Sequence, residues 1–180
     1  MRFGSAKRLK SAWLRSKICA NSTWPCVQVL NKDFKEFAAL LNSTGVEYLI
    51  VGGYALAAHG HPRYTGDLDI WLRRSQDNAV KLIRVLDAFG FGSLGLTQAD
   101  FLRPEAVVQL GYPPARIDLI TTIDGVDFDA CYPHRIEVIS AGIGLPFIGL
   151  NDFRTNKSAA GRPKDLADLQ ALNETPDEQE

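Results

Sequence analysis

The stretch VGGYALAAHGHPRYTGDLDIWL, Val51 to Leu72, joins two apolar runs and decides how the chain is read. The first run ends in Gly52-Gly53, and the second carries Asp67-Leu68-Asp69. Along a strand, residues i and i+2 share a face, so Asp67 and Asp69 project together while Leu68 and Ile70 point the other way. Two carboxylates on one face, with no basic residue between them, repel unless a cation lies between, and hard oxygen ligands suit Mg²⁺ or Mn²⁺. The Gly-Gly pair supplies backbone that can approach a phosphate closely, at the start of a short Ala-rich helix expected from Tyr54 to His59. Phosphate cradle and metal carboxylates together point to nucleotide chemistry.

Working outward, Asp33 is the expected cap of a helix whose Phe34, Phe37, Ala38, Leu40 and Leu41 fall at helical spacing. A strand is expected from Val46 to Val51, a loop from His59 to Thr65, and a second strand from Asp67 to Leu72. Ser75 caps a helix to about Phe89, with Val80, Ile83, Val85 and Leu86 as its buried face. Ala106 to Leu110 and Arg116 to Thr122 read as strands around a Gly111–Pro114 hairpin turn. Arg135 to Ser140 and Pro146 to Ile148 are short strands, and Asn151 to Ala160 and Pro163 to Asn173 are helices split at Gly161-Arg162. Strands mixed with helices imply a layered α/β or α+β domain, and the hairpin argues against a purely parallel sheet.

The chain has 180 residues, 46% hydrophobic and 23% charged, enough for one domain with a proper core. No apolar run is long enough to cross a membrane, and the three cysteines lack CxxC spacing, so a cytoplasmic location without disulfides is expected. The net charge of −1 conceals an asymmetry. Residues 1–32 hold seven Lys or Arg and no acid, which leaves thirteen basic against twenty-one acidic residues, a net of −8, in the rest. An acidic body excludes a general nucleic-acid-binding surface, so any such partner needs a local patch. The basic segment reads as a disordered extension, with a transit peptide or an upstream reading-frame extension as alternatives. Residues 33–173 form the domain, and 174–180 an acidic, frayed tail.

The strand Arg116-Ile117-Asp118-Leu119-Ile120 is apolar around one acid, costly to bury unless paired or metal-bound. If it neighbours the Asp67/Asp69 strand, Asp118 completes a three-carboxylate cluster; alone, such an Asp is somewhat more often at a solvent-facing edge than a ligand. Gly52-Gly53, Asp67-Leu68-Asp69 and Asp118 resemble the nucleotidyltransferase superfamily typified by DNA polymerase beta. The phrase GGYALAAHGHPRYTGDLDI, with Lys157, Ala160-Gly161-Arg162-Pro163-Lys164-Asp165 and Asp168, resembles small bacterial stand-alone nucleotidyltransferases, including relatives of abortive-infection toxins.

This resemblance, over roughly Asp33 to Asn173, implies a polymerase-beta-like fold with a mixed sheet flanked by helices. It implies transfer of a nucleoside monophosphate from an NTP to a hydroxyl of tRNA, protein or a small molecule, with an antitoxin partner if the chain is a toxin. Asp67 and Asp69 would hold two Mg²⁺ or Mn²⁺ ions, and Asp118 would bind metal on the hydroxyl side and help remove its proton. Gly52 and Gly53 would meet the β,γ-phosphates, Lys157 and Arg63 would contact the nucleotide, and Asp168 inherits a role with Lys157 from the toxin relatives.

Plainer readings stand beside these. Arg63 and Thr65 serve equally to order their loop. His59 and His61 lack a third zinc ligand and suit a loop or helix end. Trp71 and Cys131 belong to the core, and Asp124, Asp127 and Asp129 to a turn and surface. Lys164 and Asp168 fit an i,i+4 pair on a solvated helix start. A non-catalytic module on the same fold is the main rival. A glycosyltransferase, which also uses Asp-x-Asp, normally needs a Rossmann-like half before the motif, and only one strand precedes it here.

Overall fold

The computed structural model describes residues 31–173. The expectations for the tail, and for the basic extension apart from Asn31 and Lys32, lie outside the described residues. The first helix, α1 (Lys32–Thr44), is capped by Asn31, whose Oδ1 accepts from the Phe34 N–H at 2.8 Å. The cap therefore sits two residues upstream of the expected Asp33, which lies in the first turn, where its charge meets the positive helix end. Phe34, Phe37, Ala38 and Leu41 of α1 are buried.

The elements continue as β1 (Tyr48–Ile50), α2 (Gly52–Ala58), β2 (Asp67–Leu72) and α3 (Gln76–Phe89). Ser75 caps α3 as expected, but the buried face is Ala79, Leu82, Val85 and Leu86, with Val80 and Ile83 only half-buried. After α4 (Gln98–Leu102) come β3 (Val107–Leu110), β4 (Arg116–Ile120) and α5 (Phe128–Cys131). Then β5 (Ile136–Ser140), β6 (Ile143–Phe147), α6 (Leu150–Ala160) and α7 (Pro163–Ala171) complete the domain. No helix among the described residues is long and apolar enough to cross a membrane.

Six strands form one mixed sheet in the order β3-β4-β2-β1-β6-β5. β2 runs parallel to β4 and β1 parallel to β6, while β1–β2, β3–β4 and β5–β6 are antiparallel. The expected β3–β4 hairpin is present, and among the described residues only β1 precedes β2 in the sheet.

The β2–β4 register fixes two faces. Leu68 pairs with Ile117 and Ile70 with Leu119, all four buried in the core. On the alternate positions Asp67 pairs with Arg116 and Asp69 with Asp118, so four charged side chains share the other face. Trp71, two residues on, is only 2% exposed and packs edge-on to Phe128, as a core residue. Cys131 is buried too, and loss of solvation pushes its thiol up to about 12, which leaves it inert.

Candidate active site

The parallel register supplies the adjacency that the sequence left conditional: Asp118 stands beside Asp69, with Asp67 two residues away on the same strand face. A positive group lies among them. Arg116 donates from Nη2 to Asp67 Oδ2 at 2.6 Å and from Nε to Asp118 Oδ1 at 2.8 Å, with a further bond to Asp118 Oδ2 at 3.0 Å. Thr65 Oγ1 donates to Asp67 Oδ1 at 2.6 Å. Asp67 and Asp118 are thus satisfied within the protein, whereas no protein hydrogen bond reaches the Asp69 carboxylate among the described residues.

Asp69 is correspondingly perturbed. Burial first, then the like charges of Asp67 and Asp118, push its carboxyl up to about 6, although Lys164 and Lys157 pull the other way. Gly52 explains how this carboxylate fits. The glycine sits at φ +63°, and a Cβ built on it would fall 1.9 Å from Asp69 Oδ2, so no side chain is tolerated there. Gly53 has a different constraint: its Cβ would meet the Thr65 Cβ at 2.9 Å, so it too has little room for a side chain. The helix α2 begins at these glycines rather than at Tyr54.

A cavity of about 400 Å³ opens over this face, lined by Gly52, Asp67, Asp69 and Asp118 on the sheet side and by residues of α6 and α7 opposite. That far wall holds a second charged cluster. Lys157 is buried, with Nζ 2.6 Å from Asp165 Oδ1 and 3.1 Å from Asp168 Oδ2. Arg63 grips Asp168 with two bonds, Nε to Oδ1 at 2.6 Å and Nη2 to Oδ2 at 3.0 Å. Arg162 reaches Asp165 from the solvent side. The expected Lys164–Asp168 pair does not form, because Asp168 points inward to Lys157 and Arg63.

This network ties the loop before β2 to α7. Arg63 anchors the loop from one end, and two residues later Thr65 holds Asp67. Arg63 thus orders its loop while also lining the cavity. Lys157, expected at the phosphates, lines the cavity and pairs its ammonium with two carboxylates. His59 ends α2 and its Nε2 lies 2.9 Å from the Ile148 carbonyl, a loop anchor.

Among the described residues, no three His, Cys, Asp or Glu side chains stand in a ready metal-binding arrangement. The donor chemistry nonetheless fits a hard divalent cation: all the candidate ligands are carboxylate oxygens, and Asp69 is open and crowded by like charge. Asp67 and Asp118 would exchange Arg116 for the ion.

Solved structures place this architecture. A candidate nucleotidyltransferase from Thermotoga maritima matches with a TM-score of 0.53 and 17% identity, over 78% of this chain and 90% of its own. The antibiotic-resistance factor ANT(2'')-Ia matches at 0.48 and 13% identity, over 78% of this chain and 80% of its own. Its complex with adenylyl-2''-tobramycin matches at 0.45 and 13%, over 76% and 83%. The first match establishes the nucleotidyltransferase fold for this chain. No protein-family model matches the sequence, and no curated protein matches it.

Proposed function

We propose that this chain is a nucleotidyltransferase that moves a nucleoside monophosphate from a nucleoside triphosphate to a hydroxyl acceptor. The observation that carries the reading is the Asp69–Asp118 register beside Asp67, under a cavity of about 400 Å³ with the Gly52 backbone against Asp69. Asp67, Asp69 and Asp118 would hold Mg²⁺ or Mn²⁺, two ions in the form the resemblance implies. Bound there, such ions lower the pKa of the attacking hydroxyl and neutralise charge on the phosphates.

The chain's own residues hold the partners in place. The acceptor oxygen bonds to the α-phosphorus, the bond to the bridging oxygen breaks, and pyrophosphate leaves with the electron pair. Asp118 takes the hydroxyl proton once Arg116 yields one of its oxygens. The Gly52-Gly53 backbone faces the outer phosphates, while Arg63 and Thr65 keep Asp67 oriented. The acceptor is a hydroxyl of tRNA, protein or a small molecule. A toxin role, with an antitoxin partner, would be seen as growth arrest on expression that a neighbouring gene relieves.

The test needs no acceptor. Calorimetry of each of the four NTPs with Mg²⁺ is run on the wild type and on the Asp67→Asn/Asp69→Asn double variant. Metal-dependent binding that the variant loses, at unchanged fold, is the expected result and names the preferred base. Absence of binding to every NTP in folded wild-type protein would sink the reading in favour of a non-catalytic module.

A further inference from the structure

Five cations line the cavity: Arg63, Arg116, Lys157, Arg162 and Lys164. Four of them already have carboxylate partners. Arg116 holds Asp67 and Asp118, Lys157 holds Asp165 and Asp168, Arg63 holds Asp168, and Arg162 holds Asp165. Lys164 is exposed and makes no ion pair or hydrogen bond among the described residues. Its counterparts are the carboxylates of Asp69 and Asp124, which also line the cavity and make no side-chain hydrogen bond or ion pair among the described residues. A cavity whose neutralised groups frame one open cation and the open carboxylates of Asp69 and Asp124 suits a ligand that presents both signs, such as a polyphosphate with a chelated divalent cation.

The position of Lys164 strengthens the case. It is the second residue of α7, directly after Pro163, in the first turn, where the helix dipole places partial positive charge. An ammonium there is disfavoured by the helix that carries it, and no carboxylate forms an ion pair with it among the described residues. Lys157 cannot serve instead, since recruiting its ammonium would strand Asp165 and Asp168, both almost fully buried, with less counter-charge.

We propose that Lys164, and not Lys157, grips the terminal phosphates of the donor nucleotide. This rests on the nucleotidyltransferase reading and adds the residue that distinguishes a triphosphate from a monophosphate. Lys164 acts from the rim, so its side chain can follow the phosphates in and the pyrophosphate out.

Calorimetry with Mg²⁺ tests it, using NTP, NMP and inorganic tripolyphosphate on wild type, Lys164→Gln, Lys164→Arg and the Asp67→Asn/Asp69→Asn variant. Lys164→Gln should weaken NTP and tripolyphosphate about tenfold, the loss of one charged hydrogen bond. NMP binding should be unchanged, and the melting temperature unchanged or slightly higher, while Lys164→Arg keeps most of the affinity. If Lys164→Gln binds NTP like wild type, or loses NMP equally, the Lys164 assignment is overturned even where the double aspartate variant loses binding. If the wild type binds neither NTP nor tripolyphosphate, both the assignment and the reading beneath it fall.

Discussion

Two charged clusters face each other across one cavity, and they are built on opposite terms. On α6 and α7, Lys157, Asp165 and Asp168 have side chains no more than 5% exposed, and each carboxylate is met by two cations. On β2 and β4, two of the three carboxylates, Asp67 and Asp118, share one guanidinium, and Asp69 is left without a donor. The ionisation of the two sets differs accordingly. Burial pushes Asp165 and Asp168 up, but hydrogen bonds from Arg162, Lys157 and Arg63 outweigh it and hold both below the ordinary carboxyl range. Asp69 has the burial without the compensation and rises to about 6. The first cluster is closed and joins two helices to the loop before β2. The second is open: Arg116 answers Asp67 and Asp118, but no side chain donates to Asp69 among the described residues.

The contrast is broken most forcefully at Lys157. Lys157→Met removes the shared cation and leaves two buried carboxylates with only Arg63 and Arg162. Removing one partner of a buried pair costs about 3–5 kcal/mol, a large part of the roughly 5–15 kcal/mol that stabilises a domain. Urea denaturation measures it. A loss below about 1 kcal/mol would show that the closed cluster is not a structural fastening.

Asp69→Asn should move stability the other way. In the folded chain the carboxyl titrates at about 6, against an ordinary value near 4, so ionising it is harder in the fold than in the unfolded chain. Its stability contribution is whole below about pH 4 and is lost as pH rises through about 6. In metal-free protein near pH 7.5 the variant should therefore gain on the order of 2 kcal/mol, and near pH 3.5 nothing. The closed cluster has the reverse dependence. Its depressed carboxyls stabilise the fold above the ordinary carboxyl range, and that stabilisation is lost as pH falls through their lowered values. Denaturation at both pH values compares the two, and a pH-independent gain for Asp69→Asn would contradict the repulsion argument.

The open cluster was far more legible in the sequence than the closed one, for a reason of distance. Period-two alternation alone put Asp67 and Asp69 on one face, and an apolar strand around Asp118 made it a natural third member. Arg116 went unread because its partner depends on strand register, Asp67 opposite Arg116, which no local pattern encodes. Lys157 meets Asp165 and Asp168 across the Gly161 break, eight and eleven residues on, and Arg63 meets Asp168 over 105 residues. The local rule offered Lys164–Asp168 instead and failed, since burial turned Asp168 inward. Two short helices were missed despite readable signals. Thr97 and Asp100 form a capping box before α4, and Asp127 caps α5 through the Asp129 and Ala130 N–H groups.

The smallest expected effect separates burial from pairing within one cluster. Arg162 and Lys157 both bind Asp165, yet the Arg162 side chain is 71% exposed and that of Lys157 only 5%. Water already solvates the Arg162 guanidinium and takes its place at the carboxylate when it is removed. Arg162→Ala should therefore cost about 0.2–1 kcal/mol, several-fold less than Lys157→Met, although each change deletes one cation from the same carboxylate. The Arg162 contribution should shrink further in high salt, where exposed pairs are screened, while the Lys157 contribution should hardly move. Urea midpoints of both variants at low and high salt make the measurement. Equal losses at Arg162 and Lys157 would mean that Asp165 is reached by water, and that the cluster on α6 and α7 is no more closed than the carboxylates facing it.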